Sequence, residues 1–174
     1  VSLSSDGKIV AIGALYNDGE EGEDSGHVRV YQYNDNSNKW EQMGQDIDGE
    51  AAGDQSGRVS LSSDGKTVAI GAGKNDGEKG VDSGHVRVYQ YNDKSNKWKQ
   101  IGQDIDGEAE NDRDGVSVSL SSDGKTVAIG ALYKDSNGED SGHVRVFKLK
   151  KKKKRKRRGR RGKKNKKIKE LKKQ

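Results

Sequence analysis

Cysteine and proline are both absent from this sequence, and methionine and phenylalanine occur once each. Without cysteine there is no disulfide framework and no thiol nucleophile, and thiols say nothing about the redox compartment. The lack of proline is unusual for a chain so rich in turns. Long apolar runs are missing too: the longest in residues 1–147 is Ile9 to Leu15, IVAIGAL. That is far short of the roughly 20 residues that span a bilayer, so no transmembrane segment is expected. No signal peptide is visible, but Val1 already stands inside a repeated motif, so an upstream portion is expected.

The net charge of +6 hides two opposite segments. Residues 148–174 hold 19 Lys or Arg against Glu170 alone, a net of +18. Residues 1–147 hold the other 15 basic residues against 27 acidic ones, a net of −12. An acidic body therefore carries a strongly basic tail.

What is present is repetition. VSLSSDGK starts at Val1, Val59 and Val118, spacings of 58 and 59 residues, and residues 1–51 and 59–109 differ at eight of 51 positions. The third copy follows the same text to Phe147 with its central loop one residue shorter. Such a period points to a propeller, solenoid or array. The units read as 1–58, 59–117 and a truncated 118–147, followed by the tail, 148–174.

Within a unit every signal is β. VSLS alternates, SSDGK supplies an Asp-Gly turn, and KTVAIGA forms a second strand (KIVAIGA in the first copy). A Gly/Asp/Glu loop leads into GHVRVYQY, a polar turn follows, WEQMGQDI makes a fourth strand, and DGEAAGDQSG connects to the next copy. No 3.6-residue apolar period appears, so helices are not expected in the body. One four-stranded sheet of this composition cannot cover both its faces. Stacking successive sheets solves that, with Tyr31, Trp40, Tyr89 and Trp98 as filling between them. The fold class is thus all-β: a partial β-propeller of about two and a half four-stranded antiparallel blades, with a parallel β-solenoid as runner-up. The third unit has no counterpart of KWEQMG, so exposed blade edges invite self-association and the isolated chain is expected to be marginally stable or to oligomerise.

Gly13-Ala14 with Gly26, Val28, Val30 and Tyr31, and again Gly71-Ala72 with Gly84, Val86, Val88 and Tyr89, resemble the FG-GAP repeats of integrin-alpha-type propellers. The unit is similar as well to repeat arrays of microbial surface proteins. The resemblance covers the body and none of the tail. It implies a propeller used for binding or adhesion, extracellular or at a cell surface. Two departures are visible: Ser56-Gly57 and Asp114-Gly115 stand where the family has Phe-Gly, and its Asp-rich calcium loop is reduced to SSDGK.

Candidate chemistry is sparse. His27, His85 and His143 are one residue repeated per unit and read as repeat structure rather than as a metal cluster. Asp46, Asp48 and Asp54, with Asp104, Asp106 and Asp112, offer carboxylates to calcium, but the EF-hand spacing is not met and local turns account for them. The acidic loop has five carboxylates in the first copy and three in each of the others, as a solvated surface would. No nucleophile with an organised base and no phosphate loop is found, so neither an enzyme nor a cofactor is expected.

The tail is the remaining candidate. Lys150, Lys151, Lys152, Lys153, Lys154, Arg155, Lys156, Arg157, Arg158, Arg160 and Arg161 form a field that binds polyanions, nonspecific nucleic acid included, and match nuclear-localisation composition. No aromatic follows Phe147, so base stacking is unavailable. Like-charge repulsion predicts a disordered or partly helical tail. The body thus points to a non-enzymatic module with a protein or glycan ligand. The alternative is a nuclear or nucleic-acid-associated protein acting through the tail.

Overall fold

A computed structural model describes residues 1–135 and 137–149; the tail candidates from Lys150 to Arg161 lie outside the described residues. Thirteen strands and no helix occur among the described residues. The first sheet holds β1 (Ser2–Leu3), β2 (Ile9–Ala14), β3 (His27–Asn34), β4 (Lys39–Gln42) and β5 (Ile47–Asp48). The second repeats it as β6 (Arg58–Leu61), β7 (Thr67–Ala72), β8 (His85–Asn92), β9 (Lys97–Gln100) and β10 (Ile105–Asp106). The third has β11 (Asp114–Leu120), β12 (Thr126–Ala131) and β13 (His143–Lys148).

Side-chain chemistry sets the turns. In the first hairpin the Ser4 hydroxyl donates to Asp6 at 2.6 Å and accepts from the Ile9 amide, while the Lys8 amide donates to Asp6 at 3.0 Å. Gly7 takes φ +68° at the bend, where glycine pays no Cβ penalty. Ser62 with Asp64, and Ser121 with Asp123, repeat the arrangement. The five-residue motif SSDGK is therefore sufficient to close each hairpin.

Pairing within the sheets is antiparallel throughout, which excludes the parallel coil. The expected fourth strand is broken: β4 pairs with the second half of β3 and β5 with its first half. The break falls at Gly44, φ +80°, where a Cβ would lie 2.9 Å from Cδ1 of Trp98 in the next sheet. The second sheet breaks in the same way at Gly102, φ +86°, where nothing lies within 4 Å, so the bend belongs to the repeat and in the first sheet leaves room for the neighbouring indole.

The sheets stack face to face. Ile9, Ala11, Val28, Val30, Met43 and Ile47 of the first meet Leu61, Val68, Ile70 and Trp98 of the second. The other face of the second sheet, with Ala69, Val86 and Val88, meets Leu120, Val127 and Ile129 of the third. Backbone contact tightens the stack. A Cβ on Gly13 would lie 1.9 Å from the Gly57 carbonyl oxygen, and one on Gly71 would lie 2.1 Å from that of Gly115. The Ser5 amide donates to the Ser63 carbonyl and the Ser63 amide to that of Ser122, both at 3.0 Å. This is a partial β-propeller, two blades with a divided fourth strand and a third of three strands.

The two ends differ from the middle. Leu61, Ile70 and Trp98 are 7%, 3% and 3% exposed, whereas their counterparts Leu3, Ile12 and Trp40 on the first sheet are 60%, 40% and 47% exposed. Val86 and Val88 are buried, yet Val144 and Val146 at the same places in the third sheet are 68% and 66% exposed. Of the aromatics expected between sheets, Tyr89 and Trp98 are there, while Trp40 lies on a face that no other sheet covers among the described residues.

Candidate functional site

The titratable groups gather where the third strand of each sheet begins, beside the connector from the preceding sheet. Alternation along β3 puts His27 and Arg29 on one face, and β8 and β13 repeat this with His85 and Arg87, and His143 and Arg145. Arg29 donates to Asp46 at 2.8 Å, and Gln42 donates to the other oxygen of that carboxylate at 2.6 Å. The Arg29 pair, with Gln42, holds Asp46 below its ordinary range.

In the second sheet Arg87 holds Asp104 through two hydrogen bonds, 3.0 and 2.8 Å, and also pairs with Glu50 from the connector. Burial pushes Asp104 up, but Arg87 and Gln100 outweigh it and the carboxyl ends below its ordinary value. His85 is buried within 4.0 Å of Glu50. Burial, with Arg87 adding repulsion, draws the imidazole down from its ordinary value.

The third sheet solves the same problem differently. Among the described residues it has no fourth strand, so no counterpart of Asp104 faces Arg145. Asp114 takes that part, accepting from Arg145 at 3.0 and 2.6 Å, while Glu108 lies 3.7 Å away and the Asp106 carbonyl accepts at 2.7 Å. Asp114 is 1% exposed, and burial raises its pKa despite the arginine. The equivalent position in the previous connector is Ser56.

The histidines stay in separate blades, yet two of them sit among acids. His27, Asp46 and Asp48 bring ligand-capable atoms within 4.8 Å of one another, and so do Glu50, His85 and Asp104. Each cluster already contains an arginine, Arg29 or Arg87, bound to one of its carboxylates. That charge opposes a divalent cation there. Asp54 and Asp112 turn away from these clusters. Asp54 accepts from the Ala51 amide at 3.1 Å and from Asn75 at 3.1 Å, and Asp112 accepts from the Ala109 amide at 2.9 Å and from Lys134 at 2.8 Å. The three acids of each connector do not converge: one is held by arginine, one faces solvent and one caps a turn.

The sheet-to-sheet links by Glu50 and Glu108, and the substitution of Asp114 for Ser56, escape sequence reasoning. The available signal was position: DGE recurs in both connectors, and Ser56 becomes Asp in the unit that loses its fourth strand. A polar hollow of about 610 Å³ lies between the second connector and the loop after β12, lined by Glu110, Asp112, Arg113, Tyr133, Lys134 and Asp140 among others. Within it Lys134 pairs with Asp112, and Arg113 reaches Asp82.

Stacked antiparallel sheets with a divided fourth strand place this chain in the propeller class. Within that class, residues 105–147 match the FG-GAP repeat. No curated protein matches the chain. Among solved structures it is similar to a candidate 6-phosphogluconolactonase from Bacteroides fragilis, with TM-score 0.52 and 16% identity over 84% of this chain and 33% of that one. It is similar also to the periplasmic gluconolactonase PpgL of Pseudomonas aeruginosa, with TM-score 0.50 and 18% identity over 84% of this chain and 38% of that one. The likeness is one of fold, and this chain spans little more than a third of their length.

Proposed function

We propose that the chain is a non-enzymatic β-propeller repeat module that works by binding a protein or glycan ligand, at a cell surface. The observation that carries this is the match of residues 105–147 to the FG-GAP repeat on stacked antiparallel sheets. Among the described residues Trp40, Leu3 and Ile12 are exposed beside Tyr31 and Tyr33, where the same residue types in the second sheet close an interface within the chain. Aromatic and aliphatic side chains on a rigid sheet are the composition of contact surfaces. Supporting it, the repeated arginines and acids are tied to one another, Arg87 to Asp104 and Arg145 to Asp114 within their own sheets and Arg87 also to Glu50 of the preceding connector.

The test has two arms. Hydrolysis of gluconolactone, the substrate class of the gluconolactonase-type structural neighbours, is expected to stay at the buffer rate. Turnover that disappears in Arg87→Ala would overturn the non-enzymatic assignment. On glycan and protein arrays the wild-type chain is expected to give signals that Trp40→Ala loses; signals identical in both place the contact elsewhere.

A second function is favoured by charge: 19 basic residues against one acid in residues 148–174. Such a tail would retain duplex DNA or heparin with affinity that falls steeply with salt. Truncation after Phe147 is expected to abolish that retention; unchanged retention would remove the tail from consideration.

A further inference from the structure

A second hollow, of about 450 Å³, lies between the first two sheets at the turn that joins β3 to β4. Its size is that of a small-ligand site. Val28 and Val30 pack against the second sheet, so alternation along β3 turns Gln32 and Asn34 the same way. Glu41 stands opposite Gln32 in the register, and buried Met43 follows on the same wall. Tyr91 and Asn96 of the second sheet form the other wall.

Both walls are braced by bonds that leave polar atoms open. Asn34 and Ser37 donate to one Glu41 oxygen at 2.9 and 3.0 Å, and the Tyr91 hydroxyl donates to the Asn96 side-chain oxygen. Among the described residues nothing bonds the other Glu41 oxygen, the Gln32 or Asn36 side chains, or the Asn96 side-chain nitrogen. Together these groups both donate and accept, as sugar hydroxyls do. The charged residues lining the hollow are Asp35 and Glu41, and Lys8 already pairs with Asp35. Among the described residues no Lys or Arg lines it to meet a phosphate, sulfate or uronate. One free carboxylate is too few for the oxygen shell of calcium.

We propose that the hollow binds a neutral hexose or N-acetylhexosamine unit of a glycan. Glu41, Gln32 and Asn96 take its hydroxyls, and Met43 with the Tyr91 ring meets its apolar face. The site goes beyond the face bearing Trp40 and is separate from it: Trp40 pairs with Tyr33, and alternation puts it on the other side of β4 from Glu41. The next pair of sheets does not repeat the site. Three of the eight differences between residues 1–51 and 59–109 fall in the hollow, where Asn36, Glu41 and Met43 replace the Lys94, Lys99 and Ile101 of the second copy. Leu149 takes the place of Tyr91 in the third copy.

The full chain is tested on an array of neutral and acidic oligosaccharides, and the neutral ones retained are titrated. Trp40→Ala supplies the readout, because Trp98 is then the one tryptophan, its ring centroid 5.3 Å from that of Tyr91. Glu41→Lys installs the residue that the second copy carries as Lys99, so the fold accommodates it. Gln32→Ala removes an exposed side chain that braces nothing. Neutral glycans are expected to bind wild type and Trp40→Ala alike, and to bind about tenfold more weakly with Glu41→Lys and about fivefold more weakly with Gln32→Ala. No neutral glycan retained, affinity unchanged in both hollow variants, or a loss of acidic glycans in place of neutral ones would each overturn the proposal. Signals lost in Trp40→Ala but kept in Glu41→Lys belong to the face around Trp40, so either reading can fail without the other.

Discussion

Trp40 and Trp98 offer a controlled measurement of what one sheet gains from the next. Both stand on the first segment of the divided fourth strand, opposite Tyr33 and Tyr91 in the same register, with ring centroids 5.5 and 5.3 Å apart. Aromatic pairing within the sheet, about 0.5–1.5 kcal/mol, is therefore common to both and cancels. Only Trp98 has a sheet in front of it: its Nε1–H donates to the Met43 carbonyl at 2.6 Å, and Gln45 brackets its backbone at 3.1 and 3.0 Å. Truncating a buried Trp to Ala costs about 3–5 kcal/mol. For the half-exposed Trp40, about 1 kcal/mol is expected. The difference of about 2–4 kcal/mol, with a urea slope of about 2 kcal/mol per molar, separates the two midpoints by about 1–2 M. Should Trp98→Ala fail to fold, Trp98→Phe keeps most of the buried area but orphans the Met43 carbonyl, at about 1–3 kcal/mol. Tryptophan fluorescence checks the premise, since Trp40 alone should be quenched by acrylamide. Equal losses at the two positions would refute stacking as the source of stability.

Acid should unfold the chain in two stages. His85, whose folded pKa lies below 6.5, takes up its proton first in the unfolded state, so stability falls as pH drops below 6.5. Asp46 and Asp104 are depressed below 3.8, so their contribution is complete above that value and is lost beneath it. Asp114, raised by burial, acts with the opposite sign and above 3.8, where the folded state takes up its proton first and offsets part of the upper-stage loss. Melting temperatures across pH should lose the upper stage in His85→Gln and part of the lower in Asp104→Asn; an unchanged profile counts against the assignment. Gly71→Ala places a methyl on the Gly115 carbonyl and should cost several times the roughly 1 kcal/mol of Gly102→Ala, where nothing lies within 4 Å and only the positive φ is strained. Urea midpoints distinguish them, and equal costs would mean that the sheets do not approach so closely. Asp114→Ser, which restores the residue of the previous connector, should lose about 1–3 kcal/mol by leaving Arg145 short of an acceptor.

Much of the architecture was legible because it is local. The Ser-Asp-Gly-Lys hairpins, the alternation of HVRVYQY and the 58-residue period are properties of contiguous text, and they determine turns, strands and units. The break in the fourth strand was not legible: Gly44 and Gly102 both bend at positive φ, and only Gly44 has a neighbouring sheet's Trp98 against it, so no contact common to the two copies marks the bend. The arrangement of acids was hidden for a similar reason. DIDGEAAGD reads as one cluster, but Asp46 alternates toward Arg29 on its own sheet while Glu50 crosses to Arg87 on the next. Spacing along the chain cannot tell these directions apart, because they depend on where the neighbouring sheet lies.

Near-identical repeats also conceal their own environment. Val30, Val88 and Val146 share strand position and local sequence, yet two are buried and the third is exposed. The HVRV text before them is identical, and what sets Val146 apart is the loss of the repeat after it and its position in the stack. The differences between copies that do bear on structure are consequently those tied to a change in neighbours. Arg145 keeps the guanidinium its sheet inherits, loses the acid that the fourth strand would bring, and finds a replacement in Asp114, where the preceding connector has Ser56. Asn75, which donates to Asp54, becomes Lys134, which pairs with Asp112. A hydrogen bond at one interface becomes an ion pair at the next, near the place where apolar cover from a fourth strand ends. Charge is thus added on the inward side of the third sheet, while Val144 and Val146 stand exposed on its outward side.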